Sequence, residues 1–159
     1  MMRLLALALA GLAVPASAQL RVPPILRGQQ PPPVAVTIEG LRARFAAQAG
    51  SDTVFFAGDG ATLDANNRAV LAAQARWLMA NPFVVARIEG HADERETRAR
   101  ALALGERRAN AVRSFLLLQG VPASQISLLS WGKERPRGDG VGPMAIALNR
   151  RAQTVLMPR

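Results

Sequence analysis

The chain contains no cysteine and no tyrosine, one histidine and, among twenty basic side chains, one lysine. Without cysteine there is no disulfide, no thiolate metal ligand, no cysteine nucleophile and no lipid attachment through an N-terminal cysteine. The single histidine, His91, argues against a catalytic zinc, which typically takes three protein ligands and usually more than one histidine. It is also the only base open to a serine triad, and no G-x-S-x-G elbow precedes a helix. Walker and G-x-G-x-x-G phosphate loops are absent. Aromatic residues are confined to five phenylalanines and two tryptophans, of which Trp77 and Phe115 read as core, so there is little to stack on bases. The main apolar run, Leu4 to Val14, falls short of the roughly 20 residues a membrane-spanning helix requires.

What is present is apolar content and positive charge. Half of the 159 residues are hydrophobic, which supplies a packed core for one modest domain. The formal charge is +9, nearly all of the cations being arginine, a side chain that pairs with phosphate and carboxylate alike. Residues 1–18 have the layout of an export signal, with Arg3, the apolar run and Ala16-Ser17-Ala18 as a small-x-small cleavage site. The expectation is therefore an exported, periplasmic protein without cofactor or metal, whose basic surface meets an acidic partner other than nucleic acid.

Five of the eleven prolines fall in residues 19–33, the composition of an extended spacer. In residues 34–50, Ile38, Leu41, Phe45 and Gln48 or Ala49 recur at helical spacing after a capping Thr37. The remaining residues, 51–159, read as the main domain. A short β-prone run at Thr53 to Phe56 precedes turn chemistry at Ala57 to Gly60, and a helix follows over 64–80 with Val70, Leu71, Ala73, Trp77 and Leu78 along one side. Val84, Ala86 and Ile88 alternate with Val85, Arg87 and Glu89 as a half-buried strand ending at Gly90-His91. A second long helix spans 97–119, strands lie at 127–131 and 152–157, and a helical turn falls at 144–149. This order predicts an α/β (α+β) fold, a two-layer sandwich of β-α-β-α-β-(turn)-β with a four-stranded sheet and two main helices.

Two positions invite chemistry. Arg108 falls on the apolar stripe of the second helix, four residues from both Leu104 and Val112. A guanidinium on the buried side must meet a carboxylate, a carbonyl or a ligand, and an internal ion pair with Glu89 or Asp93 is one alternative. Asp93 follows a strand, and ligand sites favour the carboxyl ends of strands linked by crossover helices. Asp93 and Asp59 have no spacing that demands glycoside hydrolysis, and the loop of His91, Asp93 and Glu94 lacks a third convincing metal ligand. No enzyme class is supported.

The segments Ile88-Glu89-Gly90-His91-Ala92-Asp93-Glu94-Arg95, Leu104 to Val112 (LGERRANAV), Gly132-Lys133-Glu134-Arg135-Pro136 and Asn149-Arg150-Arg151 occur in this order over residues 53–157. Together they resemble the OmpA-like C-terminal domain family, nearest to its peptidoglycan-associated lipoprotein (Pal) branch. The resemblance implies a noncatalytic periplasmic domain that binds the diaminopimelate part of the peptidoglycan stem peptide and contributes to outer-envelope integrity. It assigns Asp93 to the ligand ammonium, Arg108 to a carboxylate, and Arg150 and Asp59 to the lining of the site. A protein-interaction scaffold with a degenerate peptidoglycan site, facing a TolB-like envelope protein, is the alternative.

The chain also departs from that family's pattern. Ala57 stands where the first strand usually has Asp, Glu96 where Gly follows the acid-Glu-Arg run, and Arg100-Ala101 where Tyr-Asn is usual. The lipobox cysteine is missing. The departures predict lost or altered ligand contacts, and the missing cysteine predicts a protein held near the outer membrane, if at all, through a partner.

Overall fold

The computed structural model describes residues 37–158. The expected export signal and proline-rich spacer lie outside the described residues. Helix α1 (Ile38–Ala49) starts where the Thr37 hydroxyl accepts the Gly40 N–H at 3.1 Å, and stops at Gly50, whose φ of 75° suits glycine. Leu41, Phe45 and Ala49, at helical spacing, join the core of the downstream elements, and Phe45 meets Trp77 edge-on at 5.0 Å between centroids.

Next come strand β1 (Thr53–Phe55), helix α2 (Ala65–Ala80), strand β2 (Val84–His91), helix α3 (Arg98–Leu118) and a short 3-10 turn. Strand β3 (Ile126–Gly132), helix α4 (Pro143–Asn149) and strand β4 (Arg151–Pro158) follow. The Asp64 carboxylate caps α2 through the Asn67 N–H, and Thr97 caps α3 through the Arg100 N–H. The sheet runs β1-β4-β2-β3. β4 lies antiparallel to both neighbours, and β2 and β3 are parallel, joined by the α3 crossover. The predicted two-layer α/β fold is the one adopted, the expected turn before the last strand being α4.

The stripe of α2 differs from expectation. Val70 and Ala73 are only half-buried, whereas Asn67 and Gln74 are buried beside Leu71, Trp77 and Leu78. Two amides are tolerated because both are bonded. Asn67 Nδ2 donates to the Phe55 carbonyl at 2.8 Å, and Gln74 donates to the Ser51 carbonyl while accepting from the Thr154 hydroxyl at 2.7 Å. These contacts tie α2 to β1 and β4, which hydropathy does not reveal. Phe115, expected in the core, is half-buried at its edge.

Helix α3 sits on β2 with no side chain between them at one point. A Cβ on Gly90 would lie 1.8 Å from the Gly105 carbonyl oxygen, and one on Gly105 would lie 2.8 Å from the Gly90 carbonyl oxygen. This backbone contact sets the height of α3 above the sheet, and so where its side chains end.

On the other side of β2, Glu89 and His91 are buried, although strand alternation marks that side as polar. The β2–β3 register jumps after Gly90, leaving Trp131 as an extra residue on β3. The Trp131 indole donates to Glu89 at 2.9 Å, and the Arg135 guanidinium stacks 3.5 Å from its ring centroid. Neither ring nitrogen of His91 has a hydrogen-bond partner. Burial, then the charges of Arg151 and Arg135, push its pKa from 6.5 down to about 3.

Two outcomes follow. Gly90→Ala should lose about 3 kcal/mol or more of stability in urea unfolding, because the obstruction is backbone and α3 must move; a loss under 1 kcal/mol contradicts the close contact. Between pH 6.5 and about 3 the unfolded chain holds a proton on its only histidine that the folded chain excludes, so stability should fall as pH falls. The slope should be about 1 kcal/mol per pH unit between pH 6 and 5 and should fall to a few tenths or less in His91→Gln.

Candidate functional site

Arg108 is fully buried and carries no carboxylate of its own. Its Nε donates to the Gly60 carbonyl at 3.0 Å, one terminal nitrogen to the His91 carbonyl at 2.7 Å, and the other to the Gly58 carbonyl at 2.9 Å. Its guanidinium carbon lies 5.1 Å from the Phe56 ring centroid. Burial, then the nearby charge of Arg150, lowers its pKa to about 10, so it stays a cation at neutral pH. The internal ion pair with Glu89 or Asp93 does not form, and each of the three nitrogens donates to one backbone carbonyl. In this arrangement Arg108 binds the 58–60 turn to the end of β2.

That turn carries Asp59, and the end of β2 leads into Asp93. Asp93 is almost fully buried and accepts four donors: the Arg95 backbone N–H and Nε at 3.0 Å on one oxygen, and Arg95 at 3.1 Å and Arg150 Nε at 2.7 Å on the other. Burial alone would raise its pKa; the Arg95 and Arg150 hydrogen bonds prevail and hold it at about 2. Arg150, the residue after α4, also reaches Asp59 at 3.1 Å. Its backbone carbonyl accepts the Phe56 N–H at 2.8 Å, which anchors it to the same turn. Asp59 is bound by Arg95 as well.

Three predicted residues, Asp59, Asp93 and Arg150, thus share one charged cluster, with Arg108 beneath it. The sequence reading missed Arg95 as a participant, though its place two residues after Asp93 was the available signal. It also missed Asn149, which accepts from the Arg137 and Gly138 N–H groups and donates to the Gly138 carbonyl, holding the 133–142 loop against α4. Ala101 is fully buried beside Gly132 and lines no site. Ala57 and Arg150 border an open groove of about 410 Å³ with Phe55, Phe56, Ala147 and Leu148. On the other side of Asp59 lies a cavity of about 240 Å³ containing Glu96 and Arg100.

Chemically, the cluster combines two carboxylates, Asp59 and Asp93, with three arginines. Asp93 offers no unused lone pair, and the most accessible member of its shell is Arg95, whose side chain is 42% exposed against 16% for Arg150. The arrangement suits exchange of one cation for another on a preformed acid. Among the described residues no group of three or more His, Cys, Asp or Glu side chains is placed to hold a metal, and no helix is long and apolar enough to cross a membrane.

A four-stranded sheet with crossover helices and a charged cluster at the carboxyl end of β2 defines a small two-layer α/β domain. The OmpA family model matches residues 55–150, and the chain belongs to the OmpA family. It is 47% identical over 105 residues to the peptidoglycan-associated lipoprotein of Agrobacterium fabrum, covering 66% of this chain and 59% of that protein. Against the peptidoglycan-associated lipoprotein of Brucella melitensis it is 45% identical over 105 residues, 66% of this chain and 62% of that one. The chain spans about three fifths of the length of these relatives. The crystal structure of the peptidoglycan-associated lipoprotein from Burkholderia pseudomallei superposes with a TM-score of 0.66 at 37% identity, over 68% of this chain and 92% of that chain. The C-terminal domain of Helicobacter pylori MotB shares the fold alone, with a TM-score of 0.63 at 18% identity, over 68% of this chain and 85% of that chain.

Arg108→Lys should be as damaging as Arg108→Ala, because an ammonium cannot reach three divergent carbonyls. Each should lose about 3 kcal/mol in urea unfolding, in the range seen when a buried polar network loses one partner. A lysine variant as stable as wild type contradicts the holding role.

Proposed function

We propose that this chain is a noncatalytic peptidoglycan-binding module acting on the periplasmic side of the envelope, and that it grips the diaminopimelate end of the stem peptide. The observation that supports this most is the buried, ionised Asp93, shared between Arg150 and the exposed Arg95, at the carboxyl end of β2. A diaminopimelate end carries an ammonium and a carboxylate on one carbon. The ammonium takes the place of Arg95 on Asp93. The carboxylate is received by Arg150, which keeps contact with Asp59, and by the displaced Arg95. Charge-assisted hydrogen bonds to such a zwitterion are roughly twice as strong as neutral ones. Arg108 is a positioning residue in this reading. The names of the Agrobacterium and Burkholderia relatives agree with it.

A second reading, a protein-interaction scaffold with an idle site, draws on the same saturation of Asp93: its four donors leave the acid satisfied without ligand.

Sedimentation of the purified protein with murein sacculi separates the two. Wild type should pellet with sacculi, and free meso-diaminopimelate should release it. Asp93→Asn and Arg150→Ala should weaken pelleting by about tenfold or more while unfolding like a folded protein. Wild type remaining in the supernatant at every sacculus concentration establishes the idle site.

A further inference from the structure

The cavity on the far side of Asp59, about 240 Å³, is lined by Asp59, Glu96, Arg100, Ala103, Leu104 and Arg107. Four of these come from α3, at positions 100, 103, 104 and 107, which share one helix face. Arg100 and Arg107 stand two turns apart on that face, with Ala103 too small to fill the space between them and Leu104 buried below. Neither arginine side chain has a hydrogen bond or an ion pair. Exposed arginines nearby are engaged: Arg95 with Asp93 and Asp59, and Arg98 with Glu134 at 2.9 Å. Across the cluster and this cavity together, Arg95, Arg100, Arg107, Arg108 and Arg150 face only the carboxylates of Asp59, Asp93 and Glu96. Arg100 and Arg107 share their cavity with Asp59 and Glu96 but pair with neither.

We propose that Arg100 and Arg107 form a second anion subsite for the same ligand, receiving a carboxylate carried one residue away from the zwitterion. The inference rests on the peptidoglycan reading above and names a feature of the peptide it selects: a free acid, not an amide, on the glutamyl residue that precedes diaminopimelate. Continuity supports it, because Asp59 is both a wall of this cavity and a partner of Arg150 and Arg95. The γ-linkage sets the glutamyl α-carboxylate on a branch farther from diaminopimelate than the step of about 3.8 Å of an α-linked residue, so the ligand presents its acids to neighbouring parts of one surface. Arginine also suits the task, since its planar fork matches a carboxylate and a neutral amide cannot use the charge. Glu96, unpaired on the same wall, disfavours an anion that is not drawn between the two arginines.

The test uses isothermal titration of the full chain with two synthetic probes. One is γ-D-glutamyl-meso-diaminopimelate with the glutamyl α-carboxylate free, and the other is the same dipeptide with that group as a primary amide. Wild type should bind the free acid about tenfold more tightly than the amide, a contrast worth one or two charge-assisted contacts. The double variant Arg100→Gln/Arg107→Gln should bind both probes equally, with its affinity for the amide unchanged from wild type. Wild type binding both probes alike, or the double variant keeping the preference, overturns the subsite and leaves the diaminopimelate reading standing. Wild type binding neither probe removes that reading and the subsite with it.

Discussion

A guanidinium taken out of water and given three backbone carbonyls organises the charged end of this domain. Arg108 draws the Gly58 and Gly60 carbonyls from one turn and the His91 carbonyl from the end of β2 onto a single point of α3. Because carbonyl dipoles satisfy that buried cation, neither Asp59 nor Asp93 is drawn in to neutralise it, and both acids are left to pair with Arg95 and Arg150. The contact between Gly90 and Gly105 backbones makes this possible, since it brings α3 close enough to the sheet for one side chain to reach both segments. Packing and electrostatics here are one constraint seen from two sides.

The cluster above Arg108 is preformed. Hydrogen bonds from Arg95 and Arg150 lower the Asp93 pKa to about 2, so it is a carboxylate at neutral pH. In the proposed binding mode a ligand ammonium replaces the Arg95 guanidinium on that carboxylate, so the acid stays paired and only the exposed Arg95 moves. The buried His91 behaves oppositely. It is neutral, unpaired and flanked by Arg151 and Arg135, and it couples the far side of β2 to acid stability without entering the site.

Much of this was legible in the chain. The capping Thr37, the helical spacing of Leu71, Trp77 and Leu78, and the alternation of Val84, Ala86 and Ile88 are local signals, and they placed the elements and the two-layer fold. The grouping of Asp59, Asp93 and Arg150 came from ordered motifs and could not have come from periodicity, because these residues lie on three separate segments. Arg108 was identified as buried from its helical stripe, but its partners were not, since a backbone carbonyl leaves no mark in a sequence. The same blindness hid Gln74 and Asn67 as buried stitches to β1 and β4. Arg95 was visible yet unassigned, because a surface arginine two residues from an acid looks the same whether it is solvated or clasped.

The most direct measurement is a crystal structure of the protein soaked with a peptide ending in meso-diaminopimelate. The account predicts the ligand ammonium on Asp93 in place of Arg95, the ligand carboxylate on Arg150, and Arg108 still bonded to the carbonyls of residues 58, 60 and 91. Arg95 remaining on Asp93 with the peptide bound elsewhere, or Arg108 leaving its carbonyls to meet the ligand, contradicts it.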